Sequence, residues 1–155
     1  VISAALADAV PTDSVLSEEA ADDLERLRAD RVWIIDPLDG TREFAERLEG
    51  GGWRDDFAVH VALWERSHGL SLGVVGLPGR GLMYGSDAPP VLPPSPQKVL
   101  RIAVSRTRPP EFIEAWEATG NARLVPMGFA GVKVLAVASG EVDAYVHAGG
   151  QYQWD

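Results

Sequence analysis

The chain has 155 residues, of which 46% are hydrophobic, and a formal net charge of −9. This composition predicts a globular protein of one domain or two small ones, and the acidic charge disfavours binding to a nucleic acid polymer. The absence of cysteine excludes disulfides and thiolate chemistry, and because neither a membrane-spanning apolar run nor a basic leader is visible, we expect a cytoplasmic protein without a membrane partner.

The first half of the chain predicts helices and strands in alternation. Residues 1–10 have the pattern of an amphipathic helix that Pro11 closes, and a short apolar piece, an acidic turn and a short surface helix follow in "SVLSEEAADDLERLRAD". "RVWIID" predicts a buried strand, and "GTREFAERLE" predicts a helix that ends at the glycines of residues 50–52. "DFAVHVALWERS" is typical of a strand, and "LSLGVVGLPGRGLMYGSD" of two strands joined by a turn at residues 78–79.

The proline-rich segment "APPVLPPSPQK" is a candidate boundary between two parts, residues 1–97 and 98–155. Beyond it, strand and helix patterns alternate through "LRIAVS", "PPEFIEAWEAT", "RLVPMG", "AGVKVLAVASG" and "VDAYVHA". This alternation predicts a layered α/β architecture. Neither end carries a terminal signal, so we expect the chain to be a segment of a longer protein.

The stretch "VWIIDPLDGTREF" places two acids at the end of a predicted strand. Pro37 lacks an N–H, so we expect the strand ladder to end just after Asp36. Asp39 would follow across a tight turn, with the Leu38 carbonyl between the two acids. Two carboxylates and a carbonyl form an oxygen-only ligand set that suits Mg²⁺, Mn²⁺ or Ca²⁺.

The residues after Asp39 favour an anion. Gly40 permits a close backbone approach, and Thr41 opens a helix whose first N–H groups and dipole attract negative charge. A plain strand-to-helix connection with Thr41 as N-cap is the alternative. An EF-hand is excluded because its twelfth position would be Arg47 instead of glutamate. The three-residue spacing of the acids disfavours a phospho-aspartate mechanism.

"WIIDPLDGT" resembles the first signature of the inositol monophosphatase superfamily of Mg²⁺-dependent, lithium-inhibited phosphatases. The following "REF" resembles its 3′-phosphoadenosine-5′-phosphate phosphatase (CysQ-type) branch. "LSEEA" is similar to the acidic loop of this superfamily, "GGQYQWD" to the start of its second signature, and "MGFAGVK" and "SGEVDAYVHAGG" to the segments between them. The resemblance implies an α/β layered sandwich, hydrolysis of the 3′-phosphate of a bisphosphate nucleotide by metal-activated water, and a place in sulfur assimilation.

The resemblance also implies roles for individual residues. The implied metal ligands are the side chains of Glu18, Asp36, Asp39 and Asp155 and the carbonyl of Leu38. They would hold two or three Mg²⁺ ions, which Mn²⁺ can replace and Li⁺ inhibits. Asp39, Gly40 and Thr41 would bind the phosphate, and Thr41, Glu18 and Asp36 would be catalytic, with the Thr41 hydroxyl orienting the attacking water.

Substrate recognition is expected from the second half of the chain. The candidate contacts are Ser105, Arg106, Gly128 and Lys133, of which a basic side chain would face the second phosphate. Phe129 stands where the superfamily usually has serine, so this loop departs from the superfamily's pattern. His60 alternates with valines in a strand and is predicted to be a surface or packed residue. His147, near "AGGQ", is the histidine that is a candidate for the pocket lining.

Two other functions remain open. One is an inositol-1-phosphate or sugar phosphatase, for instance acting on fructose 1,6-bisphosphate. The other is a non-catalytic member that binds metal or a partner without turnover. For a nucleotide phosphatase and for an inositol or sugar phosphatase, the predicted partner is a small phosphorylated substrate. The resemblance allows either a monomer or a homodimer.

Overall fold

The larger of two sheets carries the acidic motif. The structure, a computed structural model, describes residues 1–91, 94, 98–150 and 152–154. Within this range the larger sheet has the strand order β1-β2-β3-β4-β5. Its strands are β1 (Ser14–Ser17), β2 (Arg31–Asp39), β3 (Ala58–Glu65), β4 (Gly69–Leu77) and β5 (Leu82–Gly85). β1 runs parallel to β2, and the other neighbours are antiparallel.

The smaller sheet is parallel and has the order β7-β6-β8. Its strands are β6 (Leu100–Ser105), β7 (Ala122–Met127) and β8 (Ala144–Tyr145). The α-helices are α1 (Ile2–Ala9), α2 (Thr41–Ala45), α3 (Glu111–Ala118) and α4 (Ala130–Ala138). Short 3₁₀ helices lie at Leu24–Arg28 and Pro78–Arg80. The α/β class predicted from the alternating pattern is confirmed, and α3 and α4 are the crossovers that parallel pairing requires.

Helix α4 packs against strands of both sheets, because it contacts β3 as well as β6 and β8. Its apolar residues Val132, Leu135 and Ala136 belong to a core cluster that also contains Ala58 of β3 and Ala103 of β6. Full burial of a side chain such as Val132 stabilises the fold by about 1.5–3 kcal/mol. This packing fixes the N-terminal end of α4 over the end of β2.

Two local predictions were wrong. The β2 ladder does not end at Asp36: it continues to Asp39, with an irregularity between them that accommodates Pro37. Helix α2 ends at Ala45, well before the glycines of residues 50–52. The reason is that Glu46 is extended and binds Arg54, while the following residues form their own antiparallel bridge.

The proline-rich connector lies partly outside the described residues. Its positions 92, 93 and 95–97 are among those that the structure leaves out. The division into residues 1–97 and 98–155 therefore stays a prediction. In the part of the chain that the structure does describe, no helix combines the length and apolarity that crossing a bilayer demands.

Candidate metal and phosphate site

A cleft of about 610 Å³ opens at the end of β2. It is bordered by the β2–α2 connection, the end of β6 and the loop that leads from β7 into α4. Among its lining residues are all the candidates from the sequence except Asp155: Glu18, Asp36, Leu38, Asp39, Gly40, Thr41, Ser105, Arg106, Gly128 and Lys133. The structure thus brings together residues that are more than one hundred positions apart in the chain.

The two acids of the motif converge although they are three residues apart. Asp36 lies opposite His60 in the β2–β3 register and Asp39 lies opposite Ala58, so the two residues between the acids bulge out of the ladder. Both carboxylates are almost fully buried. The Leu38 N–H donates to Asp36 Oδ1 at 3.0 Å, and the Gly131 N–H of α4 donates to Asp39 Oδ2 at 3.1 Å. These bonds fix the orientation of both acids.

Burial raises the pKa of Asp36 above its ordinary value. The hydrogen bond from the Leu38 N–H opposes this shift, the neighbouring charge of Asp39 adds to it, and smaller contributions from Glu18 and His60 oppose it. Two buried carboxylates side by side repel each other unless a cation lies between them. The buried donor set therefore fits a divalent metal ion.

Glu18 reaches the same edge of the sheet from β1. Because β1 is parallel to β2, the carboxyl ends of both strands lie together, and the Glu18 N–H donates to the Ile35 carbonyl at 3.2 Å. The side chain of Glu18 also lies close enough to Asp36 to lower its pKa. Glu18 is exposed to the cleft, whereas the two aspartates form its floor.

Gly40 is the N-cap of α2 and has a φ of 105°, in the left-handed region that favours glycine. A Cβ at this position would lie 3.1 Å from side-chain atoms of both Phe57 and Phe129. The alternative with Thr41 as N-cap is wrong: Thr41 is the first helical residue, and its Oγ1 donates to the Leu38 carbonyl at 3.3 Å. With five residues, α2 has only a weak dipole, so an anion here would depend on individual N–H groups.

His60 is the site residue that the sequence reasoning missed. It is 8% exposed, its Nδ1 lies 3.1 Å from the Trp154 carbonyl oxygen, and its Nε2 lies 3.5 Å from Asp39 Oδ2. Asp36, Asp39 and His60 each offer a ligand atom, and these atoms lie within 4.8 Å of one another. The alternation of residues in β3 predicts only which face of the sheet His60 lies on. Its neighbours depend on the pairing of β3 with β2, which places His60 opposite Asp36.

Arg106 on the opposite wall is held by two buried acids. Its Nη1 lies 3.1 Å from Glu43 Oε1, and its Nη2 contacts Asp56 Oδ2. Asp56 also accepts the Gly128 N–H at 3.0 Å. Glu43 belongs to "REF" and Asp56 precedes β3, so one guanidinium connects α2, β3, β6 and the loop after β7. Neither acid was predicted from the sequence.

The remaining predicted contacts are also engaged with neighbours. Lys133 Nζ donates to the Gly128 carbonyl at 2.6 Å and lies 5.0 Å from the ring centroid of Tyr145. The Ser105 hydroxyl accepts the Arg108 N–H at 3.2 Å. The side chains of Arg42 and Arg108 are exposed at the cleft and make no salt bridge among the described residues. Both arginines therefore contribute positive charge to the border of the cleft.

Asp155, the predicted ligand of the second signature, lies outside the described residues, so its role stays a prediction. The preceding Trp154 stacks on Tyr152 with ring centroids 5.2 Å apart. The carbonyl of Trp154 is the one that contacts His60. His147 lines the cleft, as the sequence allowed.

The sequence pattern that describes the inositol monophosphatase family matches residues 1–155. The chain belongs to this family. A Mycobacterium bovis protein named 3′-phosphoadenosine 5′-phosphate phosphatase is 51% identical over 152 residues, which are 94% of this chain and 55% of the relative. The Escherichia coli 3′(2′),5′-bisphosphate nucleotidase CysQ is 30% identical over 157 residues, with 94% of this chain and 61% of the relative covered. The chain thus spans little more than half the length of these curated relatives.

Solved structures of inositol monophosphatases share the fold. A Thermotoga maritima IMPase has a TM-score of 0.70 and 22% identity, with 91% of this chain and 56% of that chain covered. A staphylococcal IMPase-II has a TM-score of 0.68 and 22% identity, with coverage of 93% and 57%. The inositol monophosphatase-like layered architecture predicted from the motifs is therefore confirmed.

Proposed function

We propose that the protein is a metal-dependent phosphoric monoester hydrolase that removes the 3′-phosphate of 3′-phosphoadenosine 5′-phosphate or a related bisphosphate nucleotide. The observation that carries this proposal is the cleft itself, in which the buried pair Asp36 and Asp39 faces a wall that bears arginines. The relative named 3′-phosphoadenosine 5′-phosphate phosphatase, at 51% identity, supports the choice of substrate.

The residues that would hold the metal are Glu18, Asp36, Asp39, Asp155 and the carbonyl of Leu38. Bound there, two or three Mg²⁺ ions, or Mn²⁺ in their place, supply charge neutralisation and a more acidic water, with Li⁺ as an inhibitor. Carboxylate and carbonyl oxygens are the donors that Mg²⁺ prefers. The bulge between Asp36 and Asp39 supports this proposal, because it brings the two carboxylates together at the end of β2.

The chain's own groups would orient the reaction. Because the Thr41 hydroxyl donates its proton to the Leu38 carbonyl, its lone pairs can accept a hydrogen bond from the attacking water. Glu18 and Asp36 border the same space and can hold the second proton of that water. The N–H groups of Gly40 and Thr41 would bind the phosphate. The water oxygen would bond to phosphorus as the ester P–O bond breaks, and the 3′-oxygen would leave as a hydroxyl that takes up the proton lost by the water.

The wall formed by Ser105, Arg106, Gly128 and Lys133 would receive the rest of the nucleotide. Arg106 is already paired with two carboxylates, so much of its charge is compensated. Arg42 and Arg108 are therefore the better candidates for the second phosphate, since a dianion needs uncompensated charge. The cytoplasmic location and the choice between monomer and homodimer stay predictions from the sequence.

The test is phosphate release by the intact protein from 3′-phosphoadenosine 5′-phosphate, inositol 1-phosphate and fructose 1,6-bisphosphate. Each substrate is assayed with Mg²⁺, with and without Li⁺, beside Asp39→Asn and a control, Asp8→Asn on the exposed face of α1. We expect preference for the nucleotide, inhibition by Li⁺ and loss of turnover only in Asp39→Asn.

The other outcomes decide between the open alternatives. Preference for the inositol or sugar ester would retain the metal site and contradict the nucleotide assignment. Absence of turnover on all three substrates would support a non-catalytic member of the family. Undiminished turnover in Asp39→Asn would refute the proposed site.

A further inference from the structure

We propose that His60 supplies a nitrogen ligand, through Nε2, to the metal ion at Asp36 and Asp39. The inference rests on the metal site of the proposed function and adds a donor of a different kind to its oxygen set. It follows from three observations: the partner of Nδ1, the surroundings of Nε2 and the glycine beside the ring.

The partner of Nδ1 fixes the tautomer. Nδ1 lies 3.1 Å from the Trp154 carbonyl oxygen, and a carbonyl can only accept a hydrogen bond. Nδ1 therefore carries a proton, which leaves the in-plane lone pair of a neutral ring on Nε2. Metal-binding histidines characteristically donate their other N–H to a carbonyl or carboxylate in this way. The hydrogen bond also aims Nε2 towards the two aspartates.

The surroundings of Nε2 match those of a metal ligand. Nε2 is buried and has no hydrogen-bond partner among the described residues. Its separation of 3.5 Å from Asp39 Oδ2 exceeds ordinary hydrogen-bond lengths. Ligand distances of about 2.0–2.2 Å place two donors of one ion roughly 3.0–3.5 Å apart. A shared cation accounts for both the separation and the lack of a partner.

Gly131 lets the imidazole ring of His60 pack directly against the start of α4. A Cβ at position 131 would collide with Nε2 of His60, so any larger residue would displace the ring. The N–H of the same glycine donates to Asp39 Oδ2 at 3.1 Å. One residue of α4 thus makes room for the imidazole and orients the carboxylate beside it.

A nitrogen donor changes which metal the site prefers. Mg²⁺ favours oxygen ligands, whereas imidazole suits transition metals. We therefore expect His60 to strengthen Mn²⁺ binding more than Mg²⁺ binding. Replacing it should weaken Mn²⁺ binding roughly tenfold and leave Mg²⁺ binding nearly unchanged.

The experiment uses Mn²⁺ bound to the intact protein, measured by pulsed electron paramagnetic resonance and by calorimetry. The variants are His60→Asn, whose amide can still donate to the Trp154 carbonyl, and the control His68→Asn at an exposed turn. We expect coupling of Mn²⁺ to a directly bound nitrogen in the wild type and in His68→Asn, and its loss in His60→Asn. Gly131→Ala should weaken the same coupling because it displaces the ring.

Two outcomes overturn the inference: Mn²⁺ without nitrogen coupling in the wild type, or coupling that persists in His60→Asn. A thermal melt of each variant shows whether the fold is retained, and Gly131→Ala provides an independent reading if His60→Asn does not fold. The experiment distinguishes an error about the His60 ligand from an error about the proposed phosphatase function. Turnover that depends on Asp39 together with an all-oxygen Mn²⁺ signal would refute only the role of His60.

Discussion

Replacement of Arg106 by glutamine tests the charge cluster on the cleft wall. Glu43 and Asp56 are each 5% exposed, and the Arg106 side chain is 25% exposed. The substitution removes the guanidinium that contacts both buried carboxylates. Gly128 still donates to Asp56, but Glu43 Oε2 has no hydrogen-bond partner among the described residues.

The magnitude follows from this burial. Removing one partner of a buried ion pair costs about 3–5 kcal/mol, because the other charge stays desolvated. Water reaches one quarter of the Arg106 side chain, which reduces the penalty. We therefore expect the free energy of unfolding to fall by about 2–4 kcal/mol. Adding Glu43→Gln to Arg106→Gln should restore part of this loss, since one uncompensated charge is then removed.

Urea unfolding of the intact protein, followed by tryptophan fluorescence, measures these differences. Arg123→Gln is the matched control, because Arg123 is exposed on β7 and makes no salt bridge among the described residues. It should change stability by less than about 0.5 kcal/mol. An Arg106→Gln variant as stable as this control would refute the structural role. If it also lost activity, Arg106 would instead contact the substrate, as the sequence predicted.

Three further changes test other parts of the structure. The Arg101 side chain and N–H hold the pKa of Asp143 below its usual range. A carboxylate whose pKa is lower in the folded than in the unfolded state stabilises the folded protein at pH values above the unfolded pKa of about 3.9, and this stabilisation is lost as the pH falls towards the folded pKa. In urea titrations, Asp143→Asn should therefore be less stable than the wild type at neutral pH, and the difference should shrink near pH 3. Gly40→Ala should cost about 1–3 kcal/mol in thermal unfolding, because φ is positive and Phe129 crowds the new Cβ. Arg108→Ala should raise KM roughly tenfold for a bisphosphate nucleotide and little for a monophosphate in steady-state assays.

Each of these predictions has a contradicting result. A gap between Asp143→Asn and the wild type that is constant with pH would exclude the assigned ion pair. Gly50→Ala provides the control for Gly40, since its φ is 92° but nothing lies near a Cβ. Equal losses at both glycines would mean that crowding contributes nothing. Equal changes in KM for both substrates would place Arg108 away from the second phosphate.

Local sequence predicted the elements that local forces determine. The apolar run of β2 and the apolar face of α4 specify a strand and a helix wherever they lie in the fold, and both elements were found, although β2 continues beyond its predicted end to Asp39. The signature motifs also identified the cleft residues, because those residues form a few short segments. The extent of α2 was not predictable, since its end depends on the pairing of Glu46 with Arg54 across a loop.

Partners across the fold were not accessible from sequence patterns. Period-two alternation in β3 shows that His60 shares a face with Ala58 and Ala62, but not which residue lies opposite. The register with β2 supplies that information and pairs His60 with Asp36. The same reasoning applies to Arg106, whose carboxylate partners come from segments 50 and 63 positions away.

The bulge in β2 explains how a three-residue spacing can serve one site. On a regular strand, residues three apart point to opposite faces, so Asp36 and Asp39 would be separated by the sheet. Proline at position 37 cannot donate to a ladder, and the two residues between the acids leave the register with β3. The interruption turns Asp39 back towards Asp36. Ligand atoms of Asp36, Asp39 and His60 consequently lie within 4.8 Å of one another. A motif that breaks strand periodicity is therefore what allows the strand to deliver both carboxylates, with His60 opposite the first, to a single metal site.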